Sequence, residues 1–121
     1  MTYNGAMKPP MTMWESKTYI RQSAELMSPD EDSALKFYLG LQPEAGDLIP
    51  DTGGARKLRW AVGSRGKRGG VRVVYYFGGE DAPLALFSIY KKGRKDDLTM
   101  SEKAELRAVI KSIREEHRRR K

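Results

Sequence analysis

Basic residues are concentrated in one stretch of the sequence. Between Gly54 and Lys95 the chain has eleven lysines or arginines and two acids, Glu80 and Asp81. The cations alternate with apolar residues in runs typical of β-strands, which present side chains from fixed backbone positions. Such a sheet favours a polyanionic partner, and RNA or DNA is the expected one. The cations are Arg56, Lys57, Arg59, Arg65, Lys67, Arg68, Arg72, Lys91, Lys92, Arg94 and Lys95.

Lys57 and Arg59 are two residues apart in a strand predicted over 56–62. Side chains two apart on a strand point to the same face and lie about 6.5–7 Å from each other. Leu58 and Trp60 alternate with them and are expected to face the core. Both cations are therefore expected to project from the outward face of the sheet.

The next two predicted strands add cations beside this pair. Arg72 alternates with valines in the strand 71–77, and we expect it on the same outward face. A phosphate laid across this face would contact cations from adjacent strands. The third strand, 84–90, is followed by Lys91, Lys92 and Arg94.

A cluster of this kind has the groups needed to cleave RNA without a metal. RNA carries its own nucleophile, the 2′-hydroxyl beside each phosphodiester. Repulsion from neighbouring arginines lowers the pKa of a lysine, which can then act as a general base. Arginines stabilise the additional charge on the phosphate oxygens. Spacing alone nevertheless favours binding without catalysis.

The loop 63–70 joins the first two of these strands and combines four glycines with the cations Arg65, Lys67 and Arg68. It has the flexibility and charge to contact phosphate, but it lacks the GxxxxGK[ST] pattern of nucleotide-binding loops. Among the aromatic residues of the strands, Tyr76 and Tyr90 are the candidates for an exposed position where they could stack on bases.

Composition excludes several classes of chemistry. The chain of 121 residues has no cysteine, which rules out disulfides and thiolate sites, and its one histidine, His117, follows two glutamates near the basic end of the last predicted helix. We expect no metal and no cofactor. The formal charge of +7 and the lack of an apolar run long enough to cross a bilayer predict a soluble, cytoplasmic protein without a membrane partner.

Helix signals precede the strands. A short strand is predicted over 11–15, and Ile20, Ala24 and Met27 then recur at helical spacing. The sequence Ser-Pro-Asp-Glu at 28–31 is typical of a helix start with a capping box. Two successive helices are expected to form a helical hairpin, followed by a loop over 42–54.

A last helix begins at a second capping box, Thr99 to Glu102, and ends in the basic residues 118–121, which we interpret first as a solvated end that complements the helix dipole. The predicted order is β-α-α-β-β-β-α, an α+β fold with an antiparallel sheet and the helices packed on one face. Residues 11–121 form one domain, and 1–10 form a flexible extension. The apolar stripe of the last helix is Leu106, Val109, Ile110 and Ile113.

Several short motifs occur in an order that resembles the HigB branch of the RelE/ParE toxins, the toxins of bacterial type II toxin–antitoxin modules. The resemblance covers about residues 45–110 and implies a RelE-like fold. The motifs are GDLIP at 46–50, TGG at 52–54, RKLR at 56–59, GKRGGVRVVYY at 66–76 and DDL at 96–98.

The resemblance implies a ribosome-dependent mRNA endonuclease, an mRNA interferase that inhibits translation by cutting codons in the ribosomal A site. Such enzymes leave a 2′,3′-cyclic phosphate and a 5′-hydroxyl and use no metal. The implied partners are mRNA, the ribosome with its 16S rRNA, and a cognate HigA-like helix-turn-helix antitoxin. Operator DNA would be bound through the antitoxin alone.

Carried over by position, the resemblance assigns catalytic roles to four cations. Lys57 is the expected base and Arg59 is its partner in the basic pair. Arg72 matches the arginine that stabilises the phosphate, and Lys92 matches a position that stabilises the transition state or the leaving group. The expected RNA-binding residues are Arg56, Arg65, Lys67, Arg68, Tyr90, Lys91 and Arg94.

Two positions depart from the pattern of the family. Leu98 stands where RelE has a tyrosine that stacks on the mRNA base, and Tyr90 is the alternative stacking residue. After the last strand this chain lacks the Asn-Glu pair of many HigB-type members. Two other interpretations remain open, namely a ParE-like inhibitor of DNA gyrase and an RNA- or ribosome-binding module without catalysis.

Overall fold

The structure, a computed structural model, describes residues 11–63, 70–93 and 97–120. These residues form three helices and five strands, in the predicted order except for an additional strand of two residues, β2, inside the predicted loop 42–54. Within the described ranges no helix has both the length and the apolar character needed to cross a bilayer. The elements are β1 (Met13–Glu15), α1 (Lys17–Leu26), α2 (Pro29–Leu41), β2 (Asp47–Leu48), β3 (Ala55–Trp60), β4 (Val71–Tyr76), β5 (Leu84–Lys91) and α3 (Met100–Arg120).

The five strands form one mixed sheet in the order β1-β5-β4-β3-β2. The predicted antiparallel meander of β3, β4 and β5 is confirmed, and β2 also pairs antiparallel with β3. The prediction of an entirely antiparallel sheet is wrong, because β1 runs parallel to β5 with Trp14 opposite Ala85. A strand of three residues carries no sequence signal for its direction, which is set here by where the chain enters α1.

Both faces of the central strands are buried. Leu58 and Val73 belong to a core formed with α1 and α2, on what we call the hairpin face. Ala55 and Val74 belong to a second core formed with Ile110 of α3, on what we call the α3 face. Because side chains alternate along a strand, each face receives every second residue of β3 and β4.

The helices were predicted to pack on one face of the sheet, and this holds for α1 and α2. Helix α3 packs on the opposite face, where Leu106, Ile110 and Ile113 contact the second core. Three of the four residues of the predicted apolar stripe of α3 therefore face the core, but the sequence did not identify the face of the sheet that the helix covers. Val109, the fourth member of the stripe, is largely exposed.

The buried side of α1 differs from the predicted one by one residue. Tyr19 and Ser23 are buried, whereas Ile20 and Ala24 are exposed. The Tyr19 hydroxyl donates a 2.7 Å hydrogen bond to Asp32 of α2. Burial, together with this hydrogen bond, raises the pKa of Tyr19, which keeps the phenol a neutral donor. A large aromatic side chain with a satisfied hydroxyl buries more surface than Ile20 would.

Both predicted capping boxes are present. Ser28 and Glu31 exchange side-chain and backbone hydrogen bonds at the start of α2, and Thr99 and Glu102 do the same at the start of α3. Glu31 has a second role, since its Oε2 accepts a 2.6 Å hydrogen bond from the backbone N–H of Gly63. The carboxylate therefore fixes the end of the segment that leaves β3 against the start of α2.

The segment between α2 and β3 is held by Tyr75. The Tyr75 hydroxyl donates to the Pro43 carbonyl at 2.8 Å and accepts from the Gly46 N–H at 2.9 Å. Burial raises the pKa of Tyr75, so the hydroxyl keeps its proton and can make both bonds. A Cβ added at Gly46 would lie 2.9 Å from the Tyr75 ring, which explains the glycine at this position.

We predict that Glu31→Gln lowers stability at neutral pH, because one amide oxygen cannot accept both N–H groups. The Gly63 and Ser28 N–H groups lower the pKa of Glu31, so the stabilisation is present above the pKa of an unfolded glutamate, about 4.3. It is lost as the pH falls through the lower folded value. Urea unfolding should therefore show a difference between wild type and variant at pH 7 that shrinks toward pH 3. Asp30→Asn, which removes an equal charge from the same turn, is the control, and an equal effect there would contradict the prediction.

We predict that Tyr75→Phe costs about 1–3 kcal/mol, because it leaves the buried Gly46 N–H without its acceptor. Chemical denaturation measures the loss. Tyr76→Phe is the matched control, since it removes the hydroxyl of the neighbouring buried tyrosine, for which the described residues provide no hydrogen bond. Equal losses in the two variants would show that the Tyr75 hydrogen bonds contribute nothing specific.

Candidate nucleic-acid interface

Three of the predicted cations lie together on the α3 face. Arg59 of β3 is directly opposite Arg72 of β4, and Lys57 is opposite Val74 in the same ladder. Val74 packs in the core under α3, so the alternation of the strands puts all three cations on that face. We call Lys57, Arg59 and Arg72 the cation cluster.

The cluster is tight enough to contact one phosphate. Directly opposed residues of an antiparallel pair have Cβ atoms about 4.5–5.5 Å apart, and diagonal neighbours such as Lys57 and Arg72 are about 7–8 Å apart. Like charges in opposed positions destabilise a sheet. Among the ion pairs of the described residues, none includes Arg59 or Arg72. Their charges thus favour an external anion.

Lys57 has a partner that the sequence did not indicate. Its Nζ lies 3.3 Å from a carboxylate oxygen of Asp97, just before α3. The Asp97 side chain is 79% exposed, and an ion pair this exposed contributes little to stability. The ion pair connects the start of α3 to β3, and a phosphate could displace the Asp97 carboxylate from Lys57. Forty residues separate the two side chains in the chain, so no local pattern could have revealed the contact.

Tyr90 extends the row of side chains across the sheet. It is opposite Arg72 on β5 and half-buried, and like Leu98 it packs against the core of the α3 face. An irregularity in the β4–β5 ladder leaves Phe87 without a direct partner, so Phe87 and Ser88 both line the α3 face. With Tyr90 they line a groove of about 330 Å³ between β5 and α3. Tyr90 therefore separates the cation cluster from this groove.

The position of the other predicted stacking residue, Tyr76, differs from the prediction. Tyr76, the second candidate for base stacking, is buried in the core of the α3 face, so the prediction of an exposed position is wrong. Leu98, which stands where the related family has a stacking tyrosine, packs against the same core. Of these residues, Tyr90 is the one that adjoins the cluster.

Lys92 and Lys91 lie at the end of β5, on different sides of the sheet. The Lys92 N–H donates to the Gly70 carbonyl at 3.2 Å, which continues the β4–β5 ladder next to Arg72. Lys92 is exposed at the cluster end of the sheet. Lys91 is opposite Val71, a residue of the hairpin-face core, and so belongs to the other face.

Arg56 also lies on the hairpin face, away from the cluster. Its Nη1 donates to the carbonyls of Gly46, at 2.8 Å, and Glu44, at 3.1 Å. These bonds, together with those of Tyr75, fix the segment that precedes β3. We therefore assign Arg56 a structural role and leave it out of the candidate site.

Four of the predicted RNA-binding residues, Arg65, Lys67, Arg68 and Arg94, lie outside the described residues, as does the predicted extension 1–10. Within the described ranges no group of three or more His, Cys, Asp or Glu side chains is placed to hold a metal ion. The chain matches no protein-family model.

We predict that Arg59 and Arg72 repel each other in the free protein. Arg59→Thr should raise the free energy of unfolding by about 0.2–1 kcal/mol at low salt. In a double-mutant cycle with Arg72→Thr, the double variant should be less stable than the sum of the single changes predicts, because each single change already removes the repulsion. The coupling should shrink in about 1 M salt, where the Debye length falls to about 3 Å. A zero or attractive coupling in urea titrations at low salt would contradict this.

Proposed function

We propose that this protein is a HigB-type member of the RelE/ParE toxins and acts as a ribosome-dependent mRNA endonuclease that inhibits translation. The observation that carries the proposal is the cation cluster, in which three cations on two adjacent strands converge and neither arginine has an acidic partner among the described residues. A cluster of this geometry suits a single phosphodiester. Tyr90, in the same row, can stack on a neighbouring base.

The segment before β3 gives additional support, because the Thr-Gly-Gly motif at 52–54, which is part of the family resemblance, has a structural role there. Thr52 is buried, and its hydroxyl bonds to the Ile49 carbonyl and the Ala55 N–H. Gly53 and Gly54 follow with φ of 80° and 121°, which favour glycine. These residues determine where β3 begins and hence which of its side chains reach the α3 face.

In the proposed reaction, Arg59 and Arg72 bind the non-bridging oxygens of the scissile phosphate and stabilise their charge as it increases. Lys57, released from Asp97, accepts the proton of the 2′-hydroxyl through Nζ. The 2′-oxygen then bonds to phosphorus, and the bond from phosphorus to the 5′-oxygen breaks. Lys92 donates a proton to that leaving oxygen. The products are a 2′,3′-cyclic phosphate and a 5′-hydroxyl.

The partners in this proposal follow from the function. The mRNA would be cut in the ribosomal A site with the toxin held against 16S rRNA. A cognate HigA-like antitoxin with a helix-turn-helix domain would restrain the toxin and would bind the operator DNA. A neighbouring reading frame for such a protein would support the proposal.

One observation favours a second candidate, an RNA- or ribosome-binding module that does not cleave. The Lys57 ammonium is paired with Asp97, and within the described residues no histidine accompanies the cluster as an alternative base. Such a module would use the same three cations for the backbone of RNA, without proton transfer.

We predict that expression of the wild-type chain in a bacterial host arrests growth and that primer extension on ribosome-bound mRNA reveals cuts inside reading frames. Lys57→Ala should reduce cleavage by about 10²–10⁴-fold, the usual contribution of a general base. Arg72→Ala should reduce it by about 10²–10³-fold, as for loss of one oxyanion donor. Lys17→Ala, which removes an exposed charge from α1, is the control and should cleave like wild type.

Three results would reject the endonuclease. Arrested translation with intact mRNA would favour the binding module instead. DNA damage and induction of the SOS response with intact mRNA would favour a ParE-like gyrase inhibitor. Cleavage that is unchanged in both Lys57→Ala and Arg72→Ala would show that the cation cluster is not the active site.

A further inference from the structure

Helix α3 carries a second, separate row of cations. Arg107, Lys111, Arg114 and Arg118 follow one another at spacings of four, three and four residues. At 3.6 residues per turn they fall within about 60° of the helix circumference and extend over about 16 Å of its length. All four are exposed. We call them the α3 stripe.

The stripe is distinct from the side of α3 that packs on the sheet. Ile110 and Ile113 point into the core of the α3 face, and Glu105 and Glu116 lie on the far side of the helix by the same periodicity. Among the ion pairs of the described residues, the one within α3 joins Glu116 to Arg120, which is not in the stripe. Glu115 borders the stripe beside Lys111 and Arg118, but none of the ion pairs that the structure describes joins it to them. The stripe and Glu115 together carry a net positive charge.

The helix dipole does not account for this row. Cations complement the dipole in the last turn of a helix, which explains Arg118 and its neighbours. Arg107 and Lys111 lie in the middle of a helix that ends at Arg120. Like charges three or four residues apart destabilise a helix by a few tenths of a kcal/mol for each pair. Glu115 offsets part of this repulsion, since it lies four residues after Lys111 and three before Arg118. An external anion would offset the rest.

The first residue of the stripe, Arg107, lies against the turn that leads into β3. The Arg107 guanidinium donates to the Asp51 carbonyl, and the Arg107 backbone is close to Gly53, in the turn that leads into β3. From Gly54 to Lys57 of the cation cluster is three residues of nearly extended chain, about 10 Å. Cluster and stripe therefore border the same side of α3, one after the other.

We infer that the α3 stripe binds the phosphodiester backbone of the RNA strand beyond the phosphate held by the cation cluster. This inference rests on the proposed function for the identity of the polyanion, but it concerns binding and not cleavage. The strand would pass from the cluster, along the turn at 51–54, and onto the exposed side of α3.

The composition of the stripe favours a nucleic-acid backbone over an acidic protein. Protein interfaces have a core of apolar or aromatic anchor residues. Between Arg107 and Arg118 the exposed apolar residue Val109 lies on the opposite side of the helix. A row of cations without such anchors is typical of surfaces that follow phosphates.

The test measures binding of single-stranded 2′-O-methyl RNA, which lacks the attacking hydroxyl, by fluorescence anisotropy at several salt concentrations. Lys111→Gln combined with Arg114→Gln should weaken binding of a 16-mer and reduce the slope of log K against log salt by about 1.4, or about 0.7 for each phosphate that the variant no longer neutralises. Binding of a 4-mer, which can span the cluster but not the stripe, should be unchanged.

The matched control is Lys17→Gln combined with Arg21→Gln, which removes two exposed cations at helical spacing from α1. An equal reduction of the slope in this control would show a general effect of net charge and would overturn the inference. An unchanged slope in the stripe variant would also overturn it, provided that circular dichroism shows intact helix content. If wild type fails to cut mRNA but the slope falls in the stripe variant alone, the proposed function fails and the inference stands.

Discussion

Burial of both faces of the β3-β4-β5 meander is the constraint on which the rest of this structure depends. The hairpin face is covered by α1 and α2, while α3 covers the other face through Leu106, Ile110 and Ile113. Because side chains alternate along each strand, every residue of β3 and β4 belongs to one of these two layers. The α3 face is apolar where the helix packs and basic toward the end of β3, at Lys57 and Arg59. The candidate site is the part of a buried sheet that its helix leaves uncovered.

The candidate site has a cost in stability. Arg59 and Arg72 oppose each other across two strands, and the α3 stripe repeats like charges at helical spacing. Each arrangement is unfavourable in the free protein and becomes favourable when an anion is bound. Hydrogen bonds at both ends of β3 offset this cost. Tyr75, Arg56 and Thr52 fix the segment before β3 by hydrogen bonds, and Glu31 fixes Gly63 after β3.

Predictions from local patterns agree with the structure for most of the patterns that extend over several residues. The meander, both capping boxes and the apolar stripe of α3 depend on periodicity or on residues within one turn, and all are present except that Val109 of the stripe is exposed. The observed buried side of α1 differs from the predicted one by one residue. Hydrophobicity alone favoured burial of Ile20, but Tyr19 is buried instead, with its hydroxyl hydrogen-bonded to Asp32. Strand β2 was missed, because two residues paired with Lys57 and Arg56 leave no pattern of their own.

The sequence alone determined the alternation within β3 and within β4, and with it the common side of Lys57 and Arg59, because the period of a strand is a local property of the backbone. The register between the strands puts Arg72 on that side as well. Tertiary structure decided which helix covers that side, that β1 runs parallel to β5, and that Asp97 pairs with Lys57. It also decided that Arg56 binds backbone carbonyls on the opposite face and that Tyr76 is buried. These features depend on contacts between residues far apart in the chain. Such contacts form through the packing of whole elements, and no spacing within a single segment encodes them.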